Sequence, residues 1–279
     1  MQGGSDATVG GGDIDPDEAG SDDLFGGIFD SEVQIEHQSF SFTPSGAATP
    51  PIRITVNCVH NENQFLSAFV SRVVWPSAMA CAQYICDHGA CAFRGRSCVE
   101  LGSGTGLCGL AASAFCAPCV LTDGDDKSLE VLRQNVALNT GVSVGGSAVL
   151  VRRLQWGAGA AGLDDLRALA SPAAASGGGG GGGDDGGGNG LRGGFDFVLG
   201  TDVVYDPANV RPLLESALAL MRRDGGAFLL ANHAVRMAEL QEYVSETARD
   251  MGLDEERQDA LEGSGKVHFS VFRRRAAAT

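Results

Sequence analysis

Short apolar runs, which are typical of buried strands, alternate along the chain with longer runs in which apolar residues recur at helical spacing. The strand-like runs lie at residues 99–101, 119–123, 148–151, 195–201, 227–231 and 266–272, and the helical runs at 76–88, 107–115, 128–139, 207–222 and 235–251. This alternation predicts one α/β domain with a doubly wound, mostly parallel sheet. Two shorter alternating runs, at 38–42 and 52–56, precede it and predict an antiparallel β-hairpin.

Three alternating glycines, Gly102, Gly104 and Gly106, follow the first of these strands. Glycine lets the backbone turn sharply, approach a ligand closely and pack a helix against a strand. Glu100 comes just before them, and a carboxylate there can hold an ammonium group directly or through water. Asp123 ends the next strand about 20 residues later, where an acidic side chain accepts hydrogen bonds from ribose hydroxyls. These offsets favour a cofactor site over the alternative, an ordinary strand–turn–helix without a ligand.

Acidic and aromatic residues also follow other predicted strands. Because parallel strands end at the same edge of a sheet, Glu100, Asp123, Trp156 and Asp202 are expected to converge there. Trp156 would stack on a purine, with a half-buried core position as the equal alternative. An amino acid, a ribose and a purine together describe S-adenosylmethionine. Transfer of its activated methyl group needs alignment and a deprotonated acceptor, so no metal ion is expected.

The chain has 279 residues and a formal net charge of −15, which is unevenly distributed. Residues 1–37 carry ten acidic side chains and no Lys or Arg, and residues 1–30 are predicted to be a disordered acidic tail. The remainder is only mildly acidic, so binding to a nucleic-acid backbone is not expected. Residues 157–194 are rich in Ala and Gly, with an unbroken run of glycines at 177–183, and predict a flexible surface insert.

Cysteine usage favours the cytoplasm, with the nucleus as the alternative. All eight cysteines lie between Cys58 and Cys119 and are expected to be small buried side chains in a reducing compartment. Cys116 and Cys119 have the spacing of a redox or zinc pair, but no second pair or suitably spaced His follows, which favours packing. No basic residue precedes Arg53, which argues against a targeting peptide, and no apolar run is long enough to span a bilayer. The chain shows no heptads, and a monomer is expected.

Several segments resemble one known family. They are VVWPSA at residues 73–78, VELGSGTGLCGLAA at 99–112, LTDGD at 121–125 followed by LRQNVALN, LQWG at 154–157, and FDFVLGTDVVYD at 195–206. Together they are similar to the seven-β-strand S-adenosylmethionine-dependent protein methyltransferases, in particular the lysine-methyltransferase-like group that includes the calmodulin-lysine and chaperone-lysine enzymes. The likeness covers about residues 38–275 apart from the insert. It implies a Rossmann-like, doubly wound sheet of seven strands with an antiparallel last strand, an N-terminal β-hairpin extension, and a methyltransferase domain at 31–275.

The resemblance also implies roles for individual residues. Asp202 and Tyr205 form the acid-x-x-aromatic motif of the acceptor channel, in which Asp202 orients an incoming ammonium group and Tyr205 makes a cation–π contact. The alternative for Asp202 is a cap on the following helix. Gln155 departs from the family pattern, because many relatives have Asp before the Trp. The implied cofactor contacts are Trp75, Gly102, Ser103, Gly104, Asp123, Trp156 and Thr201, to which the glycine pattern adds Glu100 and Gly106.

These observations favour an enzyme that transfers a methyl group from S-adenosylmethionine to a lysine-bearing protein substrate, at the lysine ε-amine. That amine must lose its proton before attack, and desolvation together with the nearby sulfonium would lower its pKa. The alternatives are methylation of a small molecule or of another side chain such as histidine, and a non-catalytic module that binds the cofactor. A nicotinamide oxidoreductase is a more remote alternative, because such enzymes use a similar glycine pattern.

Overall fold

A computed structural model describes residues 35–45, 50–59, 71–170, 193–234, 238–258 and 267–276. Its main sheet consists of β3 (Cys98–Leu101), β4 (Cys119–Asp123), β5 (Val149–Arg153), β6 (Phe197–Thr201), β7 (Ala227–His233), β8 (Leu253–Gln258) and β9 (Val267–Arg274). Their order is β5-β4-β3-β6-β7-β9-β8, and among these described strands β9 alone runs opposite to the other six. A separate antiparallel hairpin pairs β1 (Ile35–Phe42) with β2 (Ile52–Val59).

The helices of the described residues are α1 (Pro76–His88), α2 (Leu107–Ser113), α3 (Asp126–Leu138), α4 (Ala160–Ala168), α5 (Pro207–Leu220) and α6 (Ala238–Asp250). Local sequence explains several of their first residues. The Asp125 carboxylate accepts a hydrogen bond from the Ser128 N–H (2.8 Å), and Asp206 accepts one from the Ala208 N–H (2.9 Å). Each cap satisfies a backbone donor that the first helical turn leaves free, which fixes where α3 and α5 begin.

Helices cover both faces of the sheet. Ile85 of α1 and Leu107 of α2 belong to the core on one face, and Leu214 of α5 and Val244 of α6 belong to the core on the other. Strands between two helical layers need a nearly continuous apolar run, and β3, β4 and β6 have one. The chain order reverses between β3 and β6, which leaves a crevice at the carboxyl ends of these strands.

The predicted doubly wound sheet, its antiparallel last strand and the N-terminal hairpin are confirmed. The pattern of the sequence nevertheless located six sheet strands and missed β8, whose sequence is LDEERQ. β8 is an edge strand, and charged residues on an edge strand disfavour its pairing with another chain. Because of these charges, β8 does not form the apolar run by which the other strands were predicted. The Glu255 carboxylate is used inside the fold, where it accepts a hydrogen bond from the Ser270 hydroxyl at 2.6 Å.

The segment predicted as a flexible insert, residues 157–194, begins with a packed helix. Leu163 and Leu166 of α4 are buried, and the Arg167 guanidinium donates to the Gly193 carbonyl at 3.0 Å. The prediction of an unpacked loop is therefore wrong for residues 160–168, because two leucines at helical spacing suffice to bury one side of a short helix. Residues 171–192 and the acidic tail at 1–30 lie outside the described residues.

The cysteines are all free thiols, and seven of the eight are buried, with Cys91 exposed. Cys116 donates to the Phe93 carbonyl and Cys119 to the Gly109 carbonyl, at 3.5 and 3.4 Å. The expectation that Cys116 and Cys119 serve packing is confirmed by these contacts. Within the described residues, no helix combines the length and apolar character needed to cross a membrane.

Candidate functional site

A cavity of about 590 Å³ opens at the carboxyl ends of β3, β4 and β6, beside the beginning of α1. Pockets of about 300–1,000 Å³ are typical of small-molecule and cofactor sites. Nine of the eleven residues proposed from the sequence lie on its wall. They are Trp75, Gly102, Ser103, Gly104, Asp123, Trp156, Thr201, Asp202 and Tyr205.

The glycine turn forms one wall of this cavity and cannot accept larger residues without moving. Gly102 and Gly104 have φ angles of 64° and 52°, which L side chains seldom adopt. A Cβ at Gly104 would lie 2.5 Å from the Ser71 carbonyl oxygen, and one at Gly102 would lie 2.8 Å from Val203 Cγ1. Gly106, by contrast, faces the core, because its Cβ would lie 2.5 Å from Leu132 Cδ1.

Glu100 is buried behind the glycine turn and does not line the cavity. Its Oε2 accepts a hydrogen bond from the Gly109 N–H of α2 at 3.1 Å, which ties β3 to this helix. Burial raises the pKa of Glu100 to about 8, against the opposing effect of the Ser103 and Gly109 donors. In the structure, Glu100 therefore connects β3 to α2. Its contact with the ammonium group of a ligand stays a prediction.

Asp123 fastens the glycine turn to the end of β4. Its Oδ2 accepts from the Gly104 N–H and its Oδ1 from the Asp125 N–H, both at 3.0 Å. Burial raises the pKa of Asp123, although these two backbone donors oppose the rise. A carboxylate has about four acceptor positions, so Asp123 can still accept hydroxyl donors from the cavity side.

Asp202 follows β6 in a strained backbone conformation with a φ of 52°, which no other non-glycine residue of the described ranges shares. Its N–H donates to the Ala231 carbonyl at 2.8 Å, and its Oδ1 accepts from the His233 N–H at 2.9 Å. Both contacts come from β7, which fixes the direction of the carboxylate. The alternative that Asp202 caps the following helix is wrong, because Asp206 caps α5.

The aromatic residues lie on different parts of the wall. Trp156 is half-buried, and its Cζ2 lies 3.0 Å from where a Gly102 Cβ would be. Tyr205 is 57% exposed at the mouth. Burial, together with the negative charges of Asp123 and Asp206, raises the pKa of Tyr205. The tyrosine therefore stays a neutral phenol near neutral pH.

Comparison with known proteins adds to this geometry. The family model described as lysine methyltransferase matches residues 59–165. Mouse (Mus musculus) protein N-lysine methyltransferase METTL21A is 33% identical over 147 residues, which cover 53% of this chain and 54% of that protein. The calmodulin-lysine N-methyltransferase of Arabidopsis thaliana is 36% identical over 84 residues, which cover 29% of this chain and 27% of that protein. The chain is therefore similar to the lysine-methyltransferase-like group of seven-strand methyltransferases.

METTL21A of Danio rerio is 27% identical over 192 residues, which cover 68% of this chain and 73% of that protein. The chain spans about half of mouse METTL21A and a smaller share of the Arabidopsis enzyme. The family match begins at residue 59, after most of the hairpin, and ends before β6. The match therefore does not include Asp202 and Tyr205, and their placement depends on the geometry of the cavity alone.

The residues of this cavity fit S-adenosylmethionine, the cofactor implied by the likeness to this group. Gly102 and Gly104 lie on the cavity wall without side chains, so a ligand in the cavity can approach the backbone of the turn closely. Asp123 offers acceptors to a ribose, and the half-buried Trp156 offers an aromatic face to a purine.

Sequence reasoning missed several residues on the wall of the cavity, among them Ser71, Asp125, Lys127 and Asn209. Asp125 and Lys127 directly follow the segment that ends at Asp123, so their position after a strand end was the available signal. Ser71 and Asn209 gave no such signal, because they reach the cavity only through the fold. Gln155, noted as a departure from the family pattern, also lines the cavity, and its Oε1 lies 2.9 Å from where a Gly124 Cβ would be.

Proposed function

We propose that this protein transfers the methyl group of S-adenosylmethionine to a protein acceptor, and that the acceptor atom is a lysine ε-amine. The observation that carries the proposal is the meeting of the glycine turn, Asp123 and Asp202 in one cavity at the switch point of the sheet. The relatives support it, since METTL21A and the Arabidopsis protein are named as lysine methyltransferases.

Charge at the cavity agrees with a cationic acceptor. The acidic groups of the wall are Asp123, Asp125 and Asp202, and Lys127 is the wall's basic residue. Burial acts to raise the pKa of Asp125, but the Ser128 donors and the positive charges of Arg72 and Lys127 together outweigh it and lower that pKa, so this group is ionised at neutral pH. An acidic, partly enclosed cavity attracts an ammonium group and raises its local concentration.

S-adenosylmethionine, when bound, supplies a methyl group that its sulfonium has already activated. In our proposal Gly102, Ser103, Gly104 and Thr201 shape the cofactor wall, and Asp123 binds the ribose. Trp75 and Trp156 contribute aromatic faces, while Glu100 and Gly106 support the turn from behind. These residues act by aligning the methyl group with the acceptor nitrogen, which is the main requirement of an in-line displacement.

Asp202 and Tyr205 form the acceptor side in this proposal. Asp202 accepts a hydrogen bond from the incoming amine and directs it, because the His233 N–H already fixes its Oδ1. Tyr205, exposed at the mouth, offers a ring face to the ammonium before it loses its proton. The proton leaves to solvent before attack, and Asp202 acts as an orienting group.

We further propose a monomer of the cytoplasm or nucleus that does not bind nucleic acid. The free thiols of all eight cysteines suit a reducing compartment, and the net charge of −15 disfavours a polyanion. Large exposed apolar side chains are scattered over different elements, which favours a monomer. They are Ile35, Met79, Leu138, Tyr205 and Tyr243.

Transfer of labelled methyl from S-adenosylmethionine into proteins of a cell lysate tests the proposed activity. We expect a discrete labelled protein with the wild type, and its loss with both Asp202→Ala and Gly104→Arg. Label that appears only in small molecules would instead establish a metabolite acceptor. Tight binding of S-adenosylmethionine without any turnover, measured by calorimetry, would contradict catalysis and favour a binding module. Preference for a dinucleotide would favour an oxidoreductase.

A further inference from the structure

Asn135 of α3 and Asn139, the residue that follows the last residue of this helix, bind the backbone of β2. Asn139 accepts from the Thr55 N–H at 3.0 Å and donates to the Thr55 carbonyl at 2.6 Å. Asn135, one helical turn earlier, accepts from the Asn57 N–H at 2.6 Å and donates to the Asn57 carbonyl at 3.1 Å. Each amide thus pairs with one residue of β2 much as a neighbouring strand would, and both side chains are buried.

Asn135 makes one contact that Asn139 does not. Its Nδ2 also donates to the Thr105 carbonyl at 2.8 Å, whereas the second contact of Asn139 is to the Asn135 carbonyl within α3, at 2.7 Å. Thr105 lies between Gly104 and Gly106 in the glycine turn and lines the cavity. A single buried amide therefore joins the hairpin to the backbone of the proposed cofactor site.

The Thr105 carbonyl depends on this contact. In a continuous helix, the N–H four residues later would bind it, but the Gly109 N–H donates to Glu100 Oε2 at 3.1 Å. Thr105 is 4% exposed although it borders the cavity, so without Asn135 this oxygen would lose its donor where solvent has little access. A buried carbonyl without a partner is costly, and the turn would have to move to satisfy it.

We propose that Asn135 is a positioning residue for the cofactor site, and that through it the β1–β2 hairpin sets the affinity for the cofactor. The inference rests on the proposed function, since it concerns S-adenosylmethionine in the same cavity. Asn135 acts through the Thr105 backbone, which it holds in the shape that the glycine turn needs. Coupling between two sites is reciprocal, so a ligand in the cavity must also stabilise the hold on β2.

Asn139 provides the matched control, because it binds the same strand with the same side chain and does not touch the turn. We expect Asn135→Ala to weaken binding of S-adenosylhomocysteine about tenfold, the equivalent of losing one buried hydrogen bond. Asn139→Ala should change the affinity less than about twofold. It should nevertheless lower the Tm about as much as Asn135→Ala does, because each variant loses the contacts of one buried amide with β2. Calorimetric titration and thermal unfolding of both variants and the wild type give these values.

Equal losses of affinity in the two variants would overturn the inference, because the effect would then come from general loosening of the hairpin. A wild type that does not bind S-adenosylhomocysteine would overturn the proposed function itself, which keeps the two failures distinct. If Asn135→Ala does not fold, hydrogen exchange of the wild type decides. The ligand should slow exchange in β2 more than in β9, which pairs with β8 at the far edge of the sheet. Equal slowing in both strands would contradict the coupling.

Discussion

Gly104 and Asp202 both have positive φ angles, and both lie on the wall of the cavity. Backbone strain of this kind is kept only where the surrounding structure imposes it, and it concentrates at functional sites. At Gly104 the Asp123 carboxylate holds the N–H, and at Asp202 the carbonyl and N–H of β7 hold both the backbone and the side chain. At the residue scale, the site is therefore built by backbone contacts made before any ligand arrives.

Comparing Gly104→Ala with the control Gly95→Ala separates the cost of backbone strain from the effect of a collision at the cavity wall. Both glycines have positive φ, at 52° and 71°, but a Cβ at Gly95 meets nothing within 4 Å. Each substitution should cost about 1 kcal/mol of unfolding free energy for its backbone. Gly104→Ala should also weaken S-adenosylhomocysteine binding by about tenfold or more, because the turn must move away from Ser71. Calorimetry that found equal affinities in the two variants would contradict this role.

Asp202→Asn should reduce kcat by about 100-fold and leave the affinity for S-adenosylhomocysteine nearly unchanged. The amide oxygen can still accept from the His233 N–H, so the fold is kept while the charge that directs the amine is lost. Asp206→Asn is the matched control, since Asn caps a helix as well as Asp does. Steady-state rates and calorimetry on both variants measure the split. A wild-type kcat in Asp202→Asn would show that the carboxylate has no orienting role.

The raised pKa of Glu100 gives a pH dependence with a definite sign. Its pKa is about 8 in the folded protein against an ordinary value of 4.5, so the folded state binds more protons between these values. The contribution of Glu100 to stability is therefore complete below about pH 4.5 and is lost as the pH rises towards 8, on the order of a few kcal/mol. In urea unfolding at several pH values, wild type minus Glu100→Gln should show this fall. A flat difference would contradict the raised pKa.

At the element scale, the sequence predicted every parallel strand because each is an apolar run ended by polar residues or glycine. It missed β8 because that edge strand carries charges, and its pairing with β9 comes from the fold. The residues on the cavity wall were predictable where they follow strand ends, as Asp123 and Asp202 do. The direction of the Glu100 side chain, away from the cavity, was not predictable, because the Gly109 N–H that binds it lies on another element.

Helix α4 provides a test of how far the core extends into the insert. Leu166 is 4% exposed and packs with the core around α5, while Asp165 beside it is exposed. Leu166→Ala should lower the unfolding free energy by about 2–4 kcal/mol, as expected for a buried leucine. Asp165→Ala should change it by less than about 0.5 kcal/mol. If chemical denaturation showed two equally small effects, α4 would not be part of the core.

At the scale of the whole molecule, the order of the strands decides where the site lies. The crevice between β3 and β6 receives the glycine turn, Asp123 from β4 and Asp202 from β6, which are far apart in the sequence. The hairpin then attaches through α3 to the back of the same turn. Sequence patterns found the strands and the turn, while the joining of hairpin and turn by one asparagine depends on packing between distant segments.

Identification of the methylated amino acid is the decisive measurement. Protein labelled from S-adenosylmethionine is hydrolysed to free amino acids, and the label is separated by chromatography. We expect the label in methylated lysine with the wild type and none above background with Asp202→Asn. Label in methylhistidine, or in material that is not protein, would contradict a lysine ε-amine as the acceptor.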